Sequence, residues 1–321
     1  MNEKASGLRL NNNKQKYYNI FFDAVPLLGF IVILAFFSIV TKGALLKPAN
    51  ILTVLKQMFP YILGGFGCLF LFAQGGIDLS MASSIGLCAI LGARVMQINL
   101  GLGVFVTISV GVVVGLIMGI IYAYADIPVF IQGLAMNFLI KGMLWPLCAG
   151  NTYISAPPEI LNWLNNTREM IIIIVSLVVV LLVYNFTKFG KECRAIGAGA
   201  VSSHQSGVNV ARTKVMAFVI TGLTCGIVAF LTLIRMGSAN QATGSNFNFN
   251  VMLCLVLGGC VMGGGIGVKV RNAVIGAATL IVLSNGLVVW GADSRIQDIV
   301  KGILFILMIV ATNKLSSKVS E

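Results

Sequence analysis

LGLGVFVTISVGVVVGLIMGIIYAYA, the stretch from Leu100 to Ala125, holds no charged residue and no proline. As an α-helix rising about 1.5 Å per residue it covers the roughly 30 Å hydrocarbon core of a bilayer. A segment of this kind has no place on a water-facing surface, and the rest of the chain has the same character. Of 321 residues 58% are apolar and 10% are charged, with a mean hydropathy of +0.95. A soluble domain carries about a quarter charged residues, so this is an integral membrane protein, and disorder, collagen-like repeats and coiled coil are excluded by the same composition.

On that ruler the spans fall near 21–41, 59–75, 81–98, 100–125, 129–149, 170–186, 213–235, 250–264, 272–291 and 298–313, about ten transmembrane helices in an all-α fold. Two of them, 59–75 and 250–264, are short and glycine-rich, which predicts broken or re-entrant segments. The expected organisation is a tail over 1–20, a transmembrane domain over 21–313 and a second tail over 314–321. Basic residues orient it. With both termini cytoplasmic, the inner segments hold Lys4, Arg9, Lys14, Lys16, Lys188, Lys191, Arg194, Arg212, Lys214, Lys269, Arg271, Lys314 and Lys318, against Lys42, Lys47 and Lys56 in the outer loop 42–58. The net charge of +12 therefore reads as topology and contact with anionic lipid, not as a nucleic-acid surface. Two polar segments interrupt the spans. Residues 150–169 lie outside, with Ile160, Leu161, Trp163 and Leu164 spaced for a short helix on the membrane surface, and residues 187–212 lie inside and predict a short exposed helix.

The chemistry that is missing narrows the function. No G-x-x-x-x-G-K-[ST] loop occurs, so the chain does not bind and hydrolyse ATP in the usual way. The cluster Gly263, Gly264, Gly265 and Gly267 lacks the G-x-G-x-x-G register and reads as a tight turn. Gly111, Gly115 and Gly119 make a small-x-x-x-small stripe, as do Gly222 and Gly226, and helix packing explains both. No metal site is expected from one histidine, His204, and seven scattered cysteines without a C-x-x-C. The acids Asp23, Asp78, Asp126, Glu159, Glu169, Glu192, Asp293 and Asp298 sit at span ends or in loops, which leaves no mid-membrane relay for ion coupling. Arg94, Lys141 and Arg235, the charges nearest the spans, are expected to snorkel to the outer interface.

Several motifs then occur in a fixed order: GGIDLSMASSIGL from Gly75, DIPVFIQGLAMNFLIKG from Asp126, FGKECRAIGAGAVSSHQSGVNVARTKV from Phe189, GLTCGIVAFLTLIRMGSA from Gly222, LGGCVMGGGIG from Leu257, SNGLVVWG from Ser284 and QDIVKGILFILMIV from Gln297. From about residue 25 to 313 the chain resembles the membrane subunit of the ribose-type family of binding-protein-dependent ABC importers. The resemblance implies two permease copies or paralogues forming the pathway, a cytoplasmic ATPase partner that binds ATP and Mg, an extracytoplasmic solute-binding protein, and no cofactor in this chain. It implies that the stretch matching Ala195–Val210 contains the coupling helix that seats in the ATPase. Gly199, Ser202, Ser203, His204, Gln205, Ser206 and Gly207 are then the coupling residues, with Ser202, Ser203, His204 and Gln205 expected to face the partner and Arg194 and Arg212 flanking them. Segment 150–169 is the candidate dock for the binding protein.

The structural and pathway candidates are Gly75, Gly76, Asp78, Ser80, Asn248, Asn250 and Asn285. Asp78 or Ser80 is expected to cap the span that follows by accepting its free amide hydrogens. Asn285, followed by Gly286, is expected to bond across helices. Where the family shows a glutamate and an aspartate two residues apart before LGG, this chain has Asn248 and Asn250, and after GGIDLS it has Met81 and Ala82 in place of a small residue and glycine. Lys141 stands where an arginine is frequent. The expected function is the permease subunit of an ATP-driven importer of a small hydrophilic solute such as a monosaccharide. The alternatives are a nucleoside importer of the same family and a stand-alone secondary carrier or channel. An integral-membrane enzyme would need a nucleophile–base pair or metal cluster that this sequence does not supply.

Overall fold

The computed structural model describes residues 24–125, 127–161, 166–261, 265 and 267–320, with side chains as far as residue 310 apart from that of Asn166. The tail 1–20 with its four basic residues, Asp126, Trp163, Leu164, Gly263, Gly264, Glu321 and the side chains of Lys314 and Lys318 lie outside the described residues.

The chain is an all-α membrane protein. Its helices are α1 (Ala24–Val40), α2 (Pro48–Ala73), α3 (Met81–Met96), α4 (Leu100–Tyr124), α5 (Val129–Leu147), α6 (Asn166–Phe186), α7 (Lys188–Ala198), α8 (Ala200–Gln205), α9 (Val210–Met236), α10 (Phe247–Leu257), α11 (Val270–Trp290) and α12 (Ser294–Ser320). Every expected span contains one of these helices, while α7 and α8 are helices of the polar segment 187–212. Among the described residues α2, α4, α5, α6, α9 and α11 are long and apolar enough to cross a membrane, and α1, α3 and α10 are shorter apolar helices.

The two spans expected to be short or broken differ from each other. The span expected at 59–75 is unbroken and begins at Pro48, so most of the expected outer loop 42–58 is helical. Pro48 occupies the first helical position, where its missing N–H costs nothing, and Pro60 removes one hydrogen bond without ending the helix. By contrast, α10 has 11 residues, about 16 Å of helix, which is too short to cross. In the segment 150–169, a strand and a 3-10 turn replace the expected surface helix over the described residues: Ile154–Ser155 (β1) and Pro158–Ile160. Ile160 is buried there while Leu161 is exposed.

By its internal contacts the chain divides into two units, residues 1–58, 253–262 and 271–321 in one, and 59–252 and 263–270 in the other. In the second unit α9 is the central helix, with 72% of its apolar window buried against 22% for α6. Glycine makes this possible. A side-chain carbon on Gly222 would run into the carbonyl of Gly111, and one on Gly115 into that of Phe218, so α4 and α9 touch backbone to backbone. Helix α3 packs beside both. At one end of the unit Ser238–Ala239 (β2) pairs antiparallel with β1, Ile154 opposite Ala239, and Gln97 donates to the Ser155 carbonyl at 3.0 Å. The opposite ends of α6 and α9 carry α7 and α8. In the first unit the backbone of α11 lies close to the Cys254 carbonyl at Gly276 and to the Phe37 ring at Gly286.

Substituting Gly222→Val should therefore cost about 1–3 kcal/mol through overpacking. Gly142→Ala, where the new carbon meets nothing within 4 Å, should leave the melting midpoint in detergent within a degree or so.

Candidate functional site

The segment between α2 and α3 is built from the end of a helix and an extended turn. Gly75 has φ 82, and its N–H bonds the Phe72 carbonyl while that of Gly76 bonds the Leu71 carbonyl. This paired ending closes α2 and needs a residue that tolerates the left-handed region. Residues 78–80 are then buried. The Asp78 carboxylate accepts the Ser80 amide at 2.8 Å. The Ser80 carbonyl accepts the hydroxyls of Ser83 and Ser84, each at 2.9 Å. Ser80 stands at the N-cap position of α3 but its side chain makes no capping bond. Neither residue therefore accepts a free amide of α3 as expected: Asp78 holds the amide of the N-cap residue instead. On α5, a side-chain carbon at Gly133 would come within 2.7 Å of the Leu79 nitrogen, so the turn lies directly on the bare backbone of that helix.

Asn248, Asn250 and Asn285 all bond through their amides. Asn248, 5% exposed, donates to the Leu79 carbonyl at 3.0 Å. Asn250 donates to the Tyr61 hydroxyl at 3.4 Å, next to the Tyr61–Phe247 ring stack at 5.2 Å. Asn285 is bonded across helices within the other unit, accepting from Asn50 at 2.8 Å.

In the segment 187–212 Thr187 caps α7 by accepting the Gly190 amide, and Asn209 caps α9 by accepting that of Arg212. Between them α8 is a short exposed helix. The Ser203 N–H and the hydroxyls of Ser202 and Ser203 all bond the Gly199 carbonyl, and Ser206 bonds that of Ser202. Gly207, with φ 85, ends the helix: its N–H bonds the His204 carbonyl and that of Val208 the Ser203 carbonyl. Ser203 is buried, so of the four residues expected to face a partner only Ser202, His204 and Gln205 are exposed. Val201, which polarity patterns overlook, is 75% exposed on the same helix. Two depressions of about 350 Å³ flank His204, one lined with Val201 and Gln205, the other with Val208 and Asn209.

Helix α7 rests against the end of α2. Gly197 leaves no room for a side-chain carbon beside the Ala73 carbonyl. Gln74, 7% exposed, donates to the Cys193 sulfur at 3.3 Å and to the Thr213 carbonyl at 3.4 Å. The Thr213 hydroxyl donates to Glu192 at 2.9 Å. Tyr184 closes the same corner: its hydroxyl donates to the Val268 carbonyl at 2.8 Å, its ring meets Phe70 edge-on, and Arg194 lies 4.8 Å above it. Burial pushes the Cys193 thiol up to about 12. The motif reading missed Gln74 because it falls one residue before GGIDLS, and only its contact with α7 marks it.

At the other end of the unit Arg235 is exposed at the last turn of α9. It pairs with Glu169, whose carboxylate is 4% exposed, and so joins α9 to α6. The two residues are 66 positions apart, a separation at which sequence carries no pairing signal.

A family model described as "Branched-chain amino acid transport system / permease component" matches residues 50–309, and the chain belongs to this family. It is a multi-pass transport permease component, not an enzyme. The chain is similar to the ribose import permease protein RbsC of Bacillus subtilis (strain 168), 28% identical over 312 residues, covering 93% of this chain and 96% of that protein. It is also similar to RbsC of Escherichia coli (strain K12), 26% identical over 277 residues, covering 83% and 86%. A third relative is the galactose/methyl galactoside import permease protein MglC of Haemophilus influenzae, 27% identical over 316 residues, covering 90% and 92%.

Two outcomes are expected from these contacts. In a variant whose sole cysteine is Cys193, maleimide labelling near neutral pH should be slow and should accelerate when Gln74→Ala loosens the seat of α7, as read by mass shift. Arg235→Gln should cost about 3 kcal/mol by leaving Glu169 buried and unpaired, and adding Glu169→Gln should recover part of that loss in thermal unfolding.

Proposed function

We propose that this chain is the membrane subunit of an ATP-driven importer for a monosaccharide-like solute, working with a cytoplasmic ATPase, an extracytoplasmic binding protein and a second permease copy or paralogue. The observation that carries the reading is the likeness to sugar import permeases along 83–93% of the chain. ATP and Mg are then bound by the partner ATPase, and this chain holds no cofactor. The basic residues of 187–212 support placing α7 and α8 on the cytoplasmic side, and the β1–β2 end outside, with both chain termini cytoplasmic.

In this reading α8 enters the ATPase. Its exposed Val201 and His204 supply the contact, and its serine hydroxyls, already bonded to local carbonyls, give it a narrow and rigid profile. Movement of α8 carries α7 with it, and α7 bears on Ala73 and Gln74 at the end of α2, adjacent to the buried turn. The segment 150–161 and the β1–β2 pair then receive the binding protein. This is rigid-body transmission through packed contacts. A nucleoside importer of the same architecture is the second reading, since the same likeness leaves the solute to the binding protein.

The test is reconstitution of the chain with the neighbouring ATPase and binding protein, followed by uptake and ATPase stimulation over a panel of pentoses, hexoses and nucleosides. A monosaccharide is expected to stimulate both; absence of any stable complex with an ATPase would sink the reading. Val201→Asp should weaken ATPase association about tenfold or more by placing a charge in the buried contact, as measured by co-purification, without lowering the melting midpoint of the isolated chain.

A further inference from the structure

We infer that Asn248 is a positioning residue for solute passage: its side-chain amide must act as a hydrogen-bond donor to the Leu79 carbonyl, holding the buried turn that opens α3 against the first turn of α10. The inference rests on the transport reading above and concerns a residue pair that neither motif nor family description assigns.

One buried carbonyl of the turn takes its donor from another helix. The Ser80 amide is taken by Asp78 and the Ser80 carbonyl by Ser83 and Ser84. The Leu79 carbonyl precedes α3 and is met by the Asn248 amide at 3.0 Å. Both residues are buried, Leu79 to 3% exposure and Asn248 to 5%. A buried carbonyl without a partner is costly, so this contact is structurally required. An amide can donate here and an ionised carboxylate cannot, because it offers only acceptors. A carboxylate would moreover place a second negative group beside the turn that holds Asp78. The requirement at position 248 is thus a donor, which fits the asparagine found there. The start of α10 is fixed independently by the Tyr61–Phe247 stack and by close contact of Phe247 and Val251 with Gly64. The amide therefore positions the turn against an anchored helix end.

The experiment compares Asn248→Asp, which keeps the shape, with Asn248→Leu, which removes all polarity. Each is assembled with its ATPase and binding protein in liposomes. Near pH 7.5 both should lower solute uptake about tenfold or more while still co-purifying with the ATPase. On acidification to about pH 5 the aspartate takes up a proton and its O–H becomes a donor to Leu79. Uptake by Asn248→Asp, relative to wild type at the same pH, should then recover, and uptake by Asn248→Leu should not. Asp78 is the carboxyl that shares the turn, and it is common to all three proteins. The other titratable side chains around the turn and the start of α10 are Tyr61, Cys68, Cys88 and Cys225, types that titrate in the alkaline range in water. Melting of the isolated permease in detergent reads the hydrogen bond without any partner. It should show the same acid recovery for Asn248→Asp alone. Wild-type uptake by Asn248→Asp near pH 7.5, or equal loss in both variants at both pH values, overturns the inference. Acid recovery of melting with no uptake by wild type would instead remove the transport reading and leave the hydrogen bond's role in holding the turn standing.

Discussion

A backbone that leaves helical geometry inside a membrane protein loses access to water, so each of its amides and carbonyls must find a partner in the protein. The segment from Gln74 to Ser80 is where this chain meets that constraint. Leu71 and Phe72 accept the amides that follow α2, Asp78 takes the Ser80 amide, two serine hydroxyls take the Ser80 carbonyl, and Asn248 reaches in for the Leu79 carbonyl. The surrounding architecture serves this arrangement. Gly133 gives the turn room against α5, and α10 begins beside it instead of continuing a full crossing.

The same segment also ties one end of the unit to its interior. Gln74 belongs both to the turn and to the seat of α7, through Cys193 and the Thr213 carbonyl. Gly197 allows α7 to bear on the Ala73 carbonyl without an intervening side chain. These contacts are short and packed, and Tyr184 braces them from α6. The ends of α6 and α9 farthest from α8 are tied by Arg235 and Glu169.

Although α10 is too short to cross, hydrophobic length put a helix in each of the ten expected places, because transfer of apolar residues into hydrocarbon dominates every local preference. It misplaced the start of α2, where Lys56 and Pro60 interrupt the apolar run but not the helix. Charge scarcity correctly set aside a soluble fold, yet it carried no sign of the partner of Arg235, since the pairing of that residue depends on a helix 66 positions away. Serines 202, 203 and 206 looked alike in sequence. Helix phase buries Ser203, and all three hydroxyls are consumed by carbonyls one turn earlier.

By itself the sequence determined that this is a membrane-embedded helical permease component, because composition, span length and motif order are properties of the chain read locally. It also placed the glycines at Gly75 and Gly207, where helix ends require the left-handed region. Only the tertiary structure decided that Gln74 joins the turn to α7, that Asn248 acts as a donor and not as a neutral stand-in for an acid, and that Asp78 holds the Ser80 amide. Each of these is a hydrogen bond whose direction and partner depend on where two distant segments meet in space. Residue identity limits what a side chain can donate or accept, and packing selects which of those options is used.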